Sequence, residues 1–190
     1  MTNSSVGQKS QLREHHHTLR RSLQEKEWSE ISSKIISRLT STEEFEAAGF
    51  VHTYVSIAKN REVNTFDFIQ TCFEAGKQVI VPRMAQNGKL THHKITSTKL
   101  LSKNNWGVWE PSAENQVDLP DHLLVVVPMV SADFNRNRLG YGKGYYDRFL
   151  TGINASKIGL CFNFNLSWKP LPTEPFDIKM DKVISDQFII

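Results

Sequence analysis

Three features of the sequence predict a three-layer α/β fold, a mostly parallel sheet with helices on both faces. The runs Gln78-Val79-Ile80-Val81-Pro82, Leu123-Leu124-Val125-Val126-Val127-Pro128 and Lys157-Ile158-Gly159-Leu160-Cys161-Phe162 are short and almost continuously apolar, as strands buried on both faces are. Between Gly49 and Pro82 the order strand, helix, strand with short connections describes a βαβ unit. Two amphipathic stripes near the N-terminus supply helices to cover the sheet. Ligands are then expected beyond the carboxyl ends of the strands.

Residues 1–8 are polar and small and read as a mobile N-terminus, with residues 9–190 forming a single α/β domain. A helical pattern begins at Lys9 and carries Leu12, Leu19 and Leu23; Trp28, Ile31, Ile35, Ile36 and Leu39 form the stripe of a second helix. The triplet His15-His16-His17 invites a metal reading, but adjacent helical positions point in different directions. It is expected to be a solvated helix face.

Gly49 to Val55 is rich in β-formers and reads as the first strand. A helix capped by Asn64 or Thr65 should run through Phe68, Ile69, Cys72 and Phe73 and stop at Gly76. Leu90 to Ile95 is a candidate strand, Ser97 to Leu101 a short helix, and Trp106 to Pro111 a turn-rich segment with two indoles. Beyond Pro128, Tyr145, Tyr146, Phe149 and Leu150 fit one or two helical turns closed by Gly152, and Val183 to Ile190 a last strand or edge.

The chain has 190 residues, 23 basic and 20 acidic, for a net charge of +3. That mild surplus suits an anionic small molecule and falls short of what a dedicated nucleic-acid binder carries. Cys72 and Cys161 lie far apart in apolar segments and read as buried free thiols. No apolar run approaches membrane-spanning length, so a reducing cytoplasm is the expected location, with no membrane partner.

Chemistry concentrates in Arg138-Leu139-Gly140-Tyr141-Gly142-Lys143-Gly144-Tyr145-Tyr146-Asp147. Alternating glycines let backbone N–H groups approach an anion, Arg138 and Lys143 add positive charge, and Asp147 offers a carboxylate for a cation. The stretch matches neither a P-loop nor a dinucleotide fingerprint. The blander alternative is a turn needing positive φ, with solvated cations. A second class of function, an RNA-binding module, is suggested by Lys143-Gly144-Tyr145, which is like the start of an RNP1 segment; the rest of that motif is missing.

The same ten residues resemble the signature of the 5-formyltetrahydrofolate cyclo-ligases, also called methenyltetrahydrofolate synthetases. The likeness extends to Lys9-x-x-Leu12-Arg13, Glu62-Val63-Asn64-Thr65, Val81-Pro82-Arg83, Glu110-Pro111, Val127-Pro128 and Met180-Asp181-Lys182-Val183. The resemblance implies an ATP- and Mg2+-dependent enzyme that closes 5-formyltetrahydrofolate to 5,10-methenyltetrahydrofolate, releasing ADP and phosphate. Its partners would be small molecules, ATP and the folate, with no nucleic acid.

By the same resemblance, Lys9, Arg13, Arg138, Leu139, Gly140, Tyr141, Gly142, Lys143, Gly144, Tyr145 and Tyr146 would bind ATP. Arg138 and Lys143 would be catalytic, Arg138 cradling the triphosphate with the glycine backbone and Lys143 neutralising charge on the moving phosphoryl group. Val55, Glu62 and the run Tyr141 to Tyr145 would meet the folate, and Asp147 with Asp181 would hold magnesium. Two departures stand out. The family's common Pro-Gly-Leu-Ala-Phe-Asp and turn glycine are here Pro128-Met129-Val130-Ser131-Ala132-Asp133 and Arg136, and position 141 is Tyr where Arg is frequent.

Overall fold

A computed structural model describes residues 2–85, 88–104 and 107–190, with side chains from residue 6. Helix α1 (Thr2–Arg21) begins well before Lys9. Residues 2–8, read as part of a mobile terminus, are its first turns. Helix growth is cooperative, and contacts made by Lys9, Arg13 and Arg20 farther along α1 anchor the helix that the polar start extends.

Helices α2 (Glu25–Thr40) and α3 (Glu43–Ala47) precede strand β1 (Phe50–Thr53), and α4 (Phe66–Glu74) leads to β2 (Gln78–Met84). Thr65 stands at the N-cap of α4, but its hydroxyl donates to the Tyr54 carbonyl at 2.8 Å. The capping bond comes from Asn64 instead, whose Oδ1 accepts from Phe66 N at 3.1 Å. Gly76, at φ 70°, ends α4 as expected. Lys77 N then bonds Cys72 O and Gly76 N bonds Phe73 O, which satisfies the last helical carbonyls.

Strand β3 (Leu90–Ile95) pairs antiparallel with β2. The segment read as a short helix from Ser97 is a single 3-10 turn, Thr98–Leu100, followed by the two-stranded ribbon β4 (Leu101–Lys103) and β5 (Trp109–Pro111). Trp106 lies outside the described residues; Trp109 is half-buried on β5. Strand β6 (Leu123–Pro128) is followed by β7 (Ser131–Asp133), β8 (Arg138–Leu139), α5 (Tyr145–Leu150), β9 (Ala155–Leu160), β10 (Leu166–Ser167) and β11 (Lys182–Ile184).

The central sheet has the order β11-β9-β6-β1-β2-β3, and every pairing but β2 with β3 is parallel. Along β6 the side chains alternate between two cores. Leu124 and Val126 face the cluster covered by α2, α3 and α4, while Leu123, Val125 and Val127 face the one containing Leu150 of α5. Burying each such side chain contributes about 1.5–3 kcal/mol. The edge at β11 is covered by the chain's own end, where Val183 and Ile190 exchange backbone hydrogen bonds. Cys72 and Cys161 are buried free thiols.

Of the histidine triplet, His15 is exposed as expected, while His16 and His17 depart from the solvated face. His16 is buried and meets the Asn165 amide through Nδ1 at 3.0 Å, and His17 packs against the Tyr141 ring with centroids 5.6 Å apart. The reason is the position of α1, which makes contact with the 3-10 turns at 58–60 and 163–165 and so has more than one face covered.

Candidate active site

Beyond the carboxyl end of β6 the chain makes the small hairpin of β7 and β8, then enters the glycine-rich stretch and α5. Arg136, where the resembling family has a turn glycine, takes a left-handed φ of 65° in that hairpin. Gly142 (φ 87°) and Gly144 (φ 67°) are also left-handed. That backbone conformation favours glycine, and a Cβ would also press on a guanidinium, coming within 3.1 Å of Arg13 at Gly142 and within 2.7 Å of Arg148 at Gly144, so those side chains would have to shift.

These residues form one wall of a cavity of about 750 Å3. It lies where the fold class places a ligand, and α1, the 55–62 loop and the 174–177 segment supply its other walls. Lys9, Arg13, Val55, Glu62 and the whole run from Arg138 to Asp147 line it. The structure therefore gathers at one site all the sequence-predicted residues except Asp181.

The cations are held in place by neighbouring acceptors. Lys9 Nζ donates to Asp177 Oδ2 at 2.6 Å, Arg13 Nε to the Gly140 carbonyl at 2.8 Å, and Arg138 to Asp147 Oδ1 at 2.6 Å. Lys143 is exposed. Arg148 donates to the carbonyls of Lys143 (2.8 Å) and Gly88, stapling the glycine stretch to the turn between β2 and β3, and packs over the Tyr145 ring at 5.7 Å. Tyr146 carries a buried hydroxyl with no hydrogen-bond partner among the described residues.

Glu62, only 5% exposed, is the acidic group of the inner wall. Its Oε1 accepts from Tyr141 Oη at 2.6 Å, its Oε2 from Ile57 N at 2.7 Å, and its carbonyl from Trp28 Nε1 at 2.6 Å. Burial pushes its carboxyl above the usual range, opposed by the bonds from Tyr141 and Ile57 and by the charge of Arg20. At position 141 the tyrosine thus serves as a donor to this carboxylate.

Asp181 does not join the cavity. Its carboxylate accepts from Lys157 N at 2.7 Å and pairs with Lys157 Nζ at 3.1 Å, beside the start of β11. Asp177, four residues earlier, is the carboxylate of this segment that lines the cavity. Sequence reasoning also missed Glu110, which accepts from Met84 N at 3.0 Å, and Trp109, both on the cavity wall. For Arg20 a signal existed: positions 9, 13, 17 and 20 share one face of a helix. No local signal separated Asp177 from Asp181.

Tyr145 and Tyr146 open helix α5, so they do not stand on a strand face where RNP1 aromatics stack bases. The sequence model of the 5-formyltetrahydrofolate cyclo-ligase family matches residues 5–186. The chain belongs to the 5-formyltetrahydrofolate cyclo-ligase family. A probable 5-formyltetrahydrofolate cyclo-ligase of Schizosaccharomyces pombe is 27% identical over 84% of this chain and 85% of its own length. The 5-formyltetrahydrofolate cyclo-ligase of Escherichia coli is 27% identical over 87% of this chain and 93% of its own. Among solved structures, the Aquifex aeolicus 5,10-methenyltetrahydrofolate synthetase superposes with a TM-score of 0.82 at 30% identity, covering 95% of this chain and 91% of that one.

Proposed function

We propose that this cyclo-ligase family member converts 5-formyltetrahydrofolate to 5,10-methenyltetrahydrofolate in the cytoplasm, consuming ATP with Mg2+ and releasing ADP and phosphate. The observation that carries the proposal is one cavity in which Lys9, Arg13, Arg138 and Lys143 surround the glycine stretch while Glu62 and Val55 line the adjoining wall. A polyanion and a polar heterocycle can lie end to end there.

In this reading the formyl oxygen attacks the γ-phosphorus of ATP and ADP departs. The N10 lone pair then attacks the activated formyl carbon, N10 loses its proton, and phosphate is expelled as the methenyl bridge forms. The protein forms no covalent bond, so its work is positioning and charge neutralisation. The glycine amides and Arg138 hold the triphosphate, Lys9 and Arg13 leave Asp177 and Gly140 for phosphate oxygens, and exposed Lys143 meets the transferred group. Glu62 and Tyr145 contact the folate.

Among the described residues no group of three His, Cys, Asp or Glu converges on a metal position. That fits magnesium, which commonly takes one or two protein carboxylates together with substrate phosphates and waters. Asp147 and Asp177, both on the cavity wall, would hold it. Bound there, it would supply positive charge to neutralise the triphosphate.

An assay of purified protein with 5-formyltetrahydrofolate, ATP and magnesium is expected to show absorbance of the methenyl product growing only when ATP is present. Nucleotide binding without turnover would overturn the reading in favour of a phosphate-binding relative with another substrate. A finer check is Gly144→Ala. Forcing a side chain into left-handed φ costs about 1–2 kcal/mol, and the new Cβ must displace Arg148. The expected result is a higher KM for ATP; an unchanged KM would detach this loop from the nucleotide.

A further inference from the structure

Behind the inner wall of the cavity lies a chain of polar groups that the proposed reaction does not use directly. Arg20 of α1 is 2% exposed. One of its terminal nitrogens lies 3.1 Å from the Met129 carbonyl and 3.2 Å from Tyr141 Oη, and the other 3.0 Å from His17 Nδ1. Its Nε is buried with no hydrogen-bond partner among the described residues. A fully buried guanidinium with an unsatisfied nitrogen is costly to keep, and a few apolar atoms would fill its place at lower cost.

The donor pattern has a direction. Arginine can only donate, so Tyr141 Oη accepts from Arg20, and its single proton is left for Glu62 Oε1, 2.6 Å away. The other oxygen, Oε2, accepts from Ile57 N at 2.7 Å. Both carboxylate oxygens are thus acceptors, and each retains a lone pair for a ligand. We propose that Arg20 is a positioning residue that acts through the Tyr141 hydroxyl to keep Glu62 ionised and aimed at an N–H group of the folate. This rests on the reading that Glu62 contacts the folate.

The other groups facing Glu62 support that division. The Tyr54 hydroxyl donates to the Val63 carbonyl at 3.0 Å, and burial holds the phenols of Tyr54, Tyr141 and Tyr146 protonated. From α2, the Trp28 indole is engaged with the Glu62 carbonyl rather than with its side chain. His17 is pushed down to about 4 by burial first and then by Arg20 and its neighbours, so at neutral pH it is an uncharged acceptor for Arg20. Arg20 is the cation whose charge opposes the burial of the Glu62 carboxylate.

The Tyr141 bond and the Arg20 charge both lower the Glu62 pKa, so removing either raises it, and less carboxylate is present at a given acidic pH. Tyr141→Phe breaks the link while leaving Arg20 its bond to Met129. It should move the acid limb of kcat/KM for 5-formyltetrahydrofolate to higher pH by on the order of one unit, which is about 1.4 kcal/mol. Arg20→Gln should move it the same way, and Arg20→Lys should restore part of the shift. A 13C titration of the Glu62 carboxyl in the unliganded Tyr141→Phe protein should show the same upward displacement. If kcat/KM falls equally at every pH and the 13C titration matches wild type, Arg20 merely ties α1 to the Met129 strand end and the proposal is overturned. Failure of the wild type to turn over the folate would instead strike the functional reading, and the 13C titration would still decide the Arg20 link.

Discussion

Lys143→Ala is expected to lower kcat by about 10²–10³, the scale seen when one well-placed donor to a developing charge is removed, with circular dichroism and melting temperature unchanged. The fold should tolerate the change because the side chain is exposed. The chemistry should not, because Lys143 sits between Gly142 and Gly144 on the wall of the cavity where the γ-phosphoryl group would move. Arg138, by contrast, is a poor test residue, since its buried guanidinium also anchors Asp147 and the Pro128 carbonyl. Near-normal methenyl formation by Lys143→Ala would remove the residue from its role.

Asp147→Asn should raise the magnesium concentration needed for half-maximal turnover by tenfold or more, matching the roughly 1.5–3 kcal/mol of a charge-assisted contact. It should also lower stability. The Arg138 and Asp147 side chains are 5% and 17% exposed, and taking the charge from one partner of a largely buried pair costs up to about 3–5 kcal/mol. The companion variant Asp181→Asn should leave the magnesium titration where it is, because that carboxylate is engaged with Lys157 away from the cavity. A titration unmoved by Asp147→Asn, or moved by Asp181→Asn, would reverse the assignment.

The pair of aspartates shows where sequence reasoning stopped. Asp177 and Asp181 share one segment and one residue type, and nothing local ranks them. The choice is made by the path of the chain: Lys9, 168 positions away, reaches Asp177, while the approach to β11 turns Asp181 toward the start of β9. For Arg20 the helical spacing showed a face shared with Lys9 and Arg13 but not the groups it meets. Its partners Met129 and Tyr141 lie more than a hundred positions distant, and only the seating of α1 brings them to it. The same seating buries His16, which the helical pattern alone had exposed.

By itself the sequence determined the layered fold and singled out the glycine-rich stretch that lines the cavity. Strands buried on both faces must be continuously apolar, and a backbone that turns through left-handed φ beside two cations places its glycines in one contiguous stretch, so both leave local signatures. Tertiary structure alone decided which carboxylates face the cavity and which buried cation supports Glu62. Those are contacts between side chains far apart in the chain, set by how α1 and the 174–177 segment pack against the carboxyl ends of the strands, and no spacing rule encodes that packing.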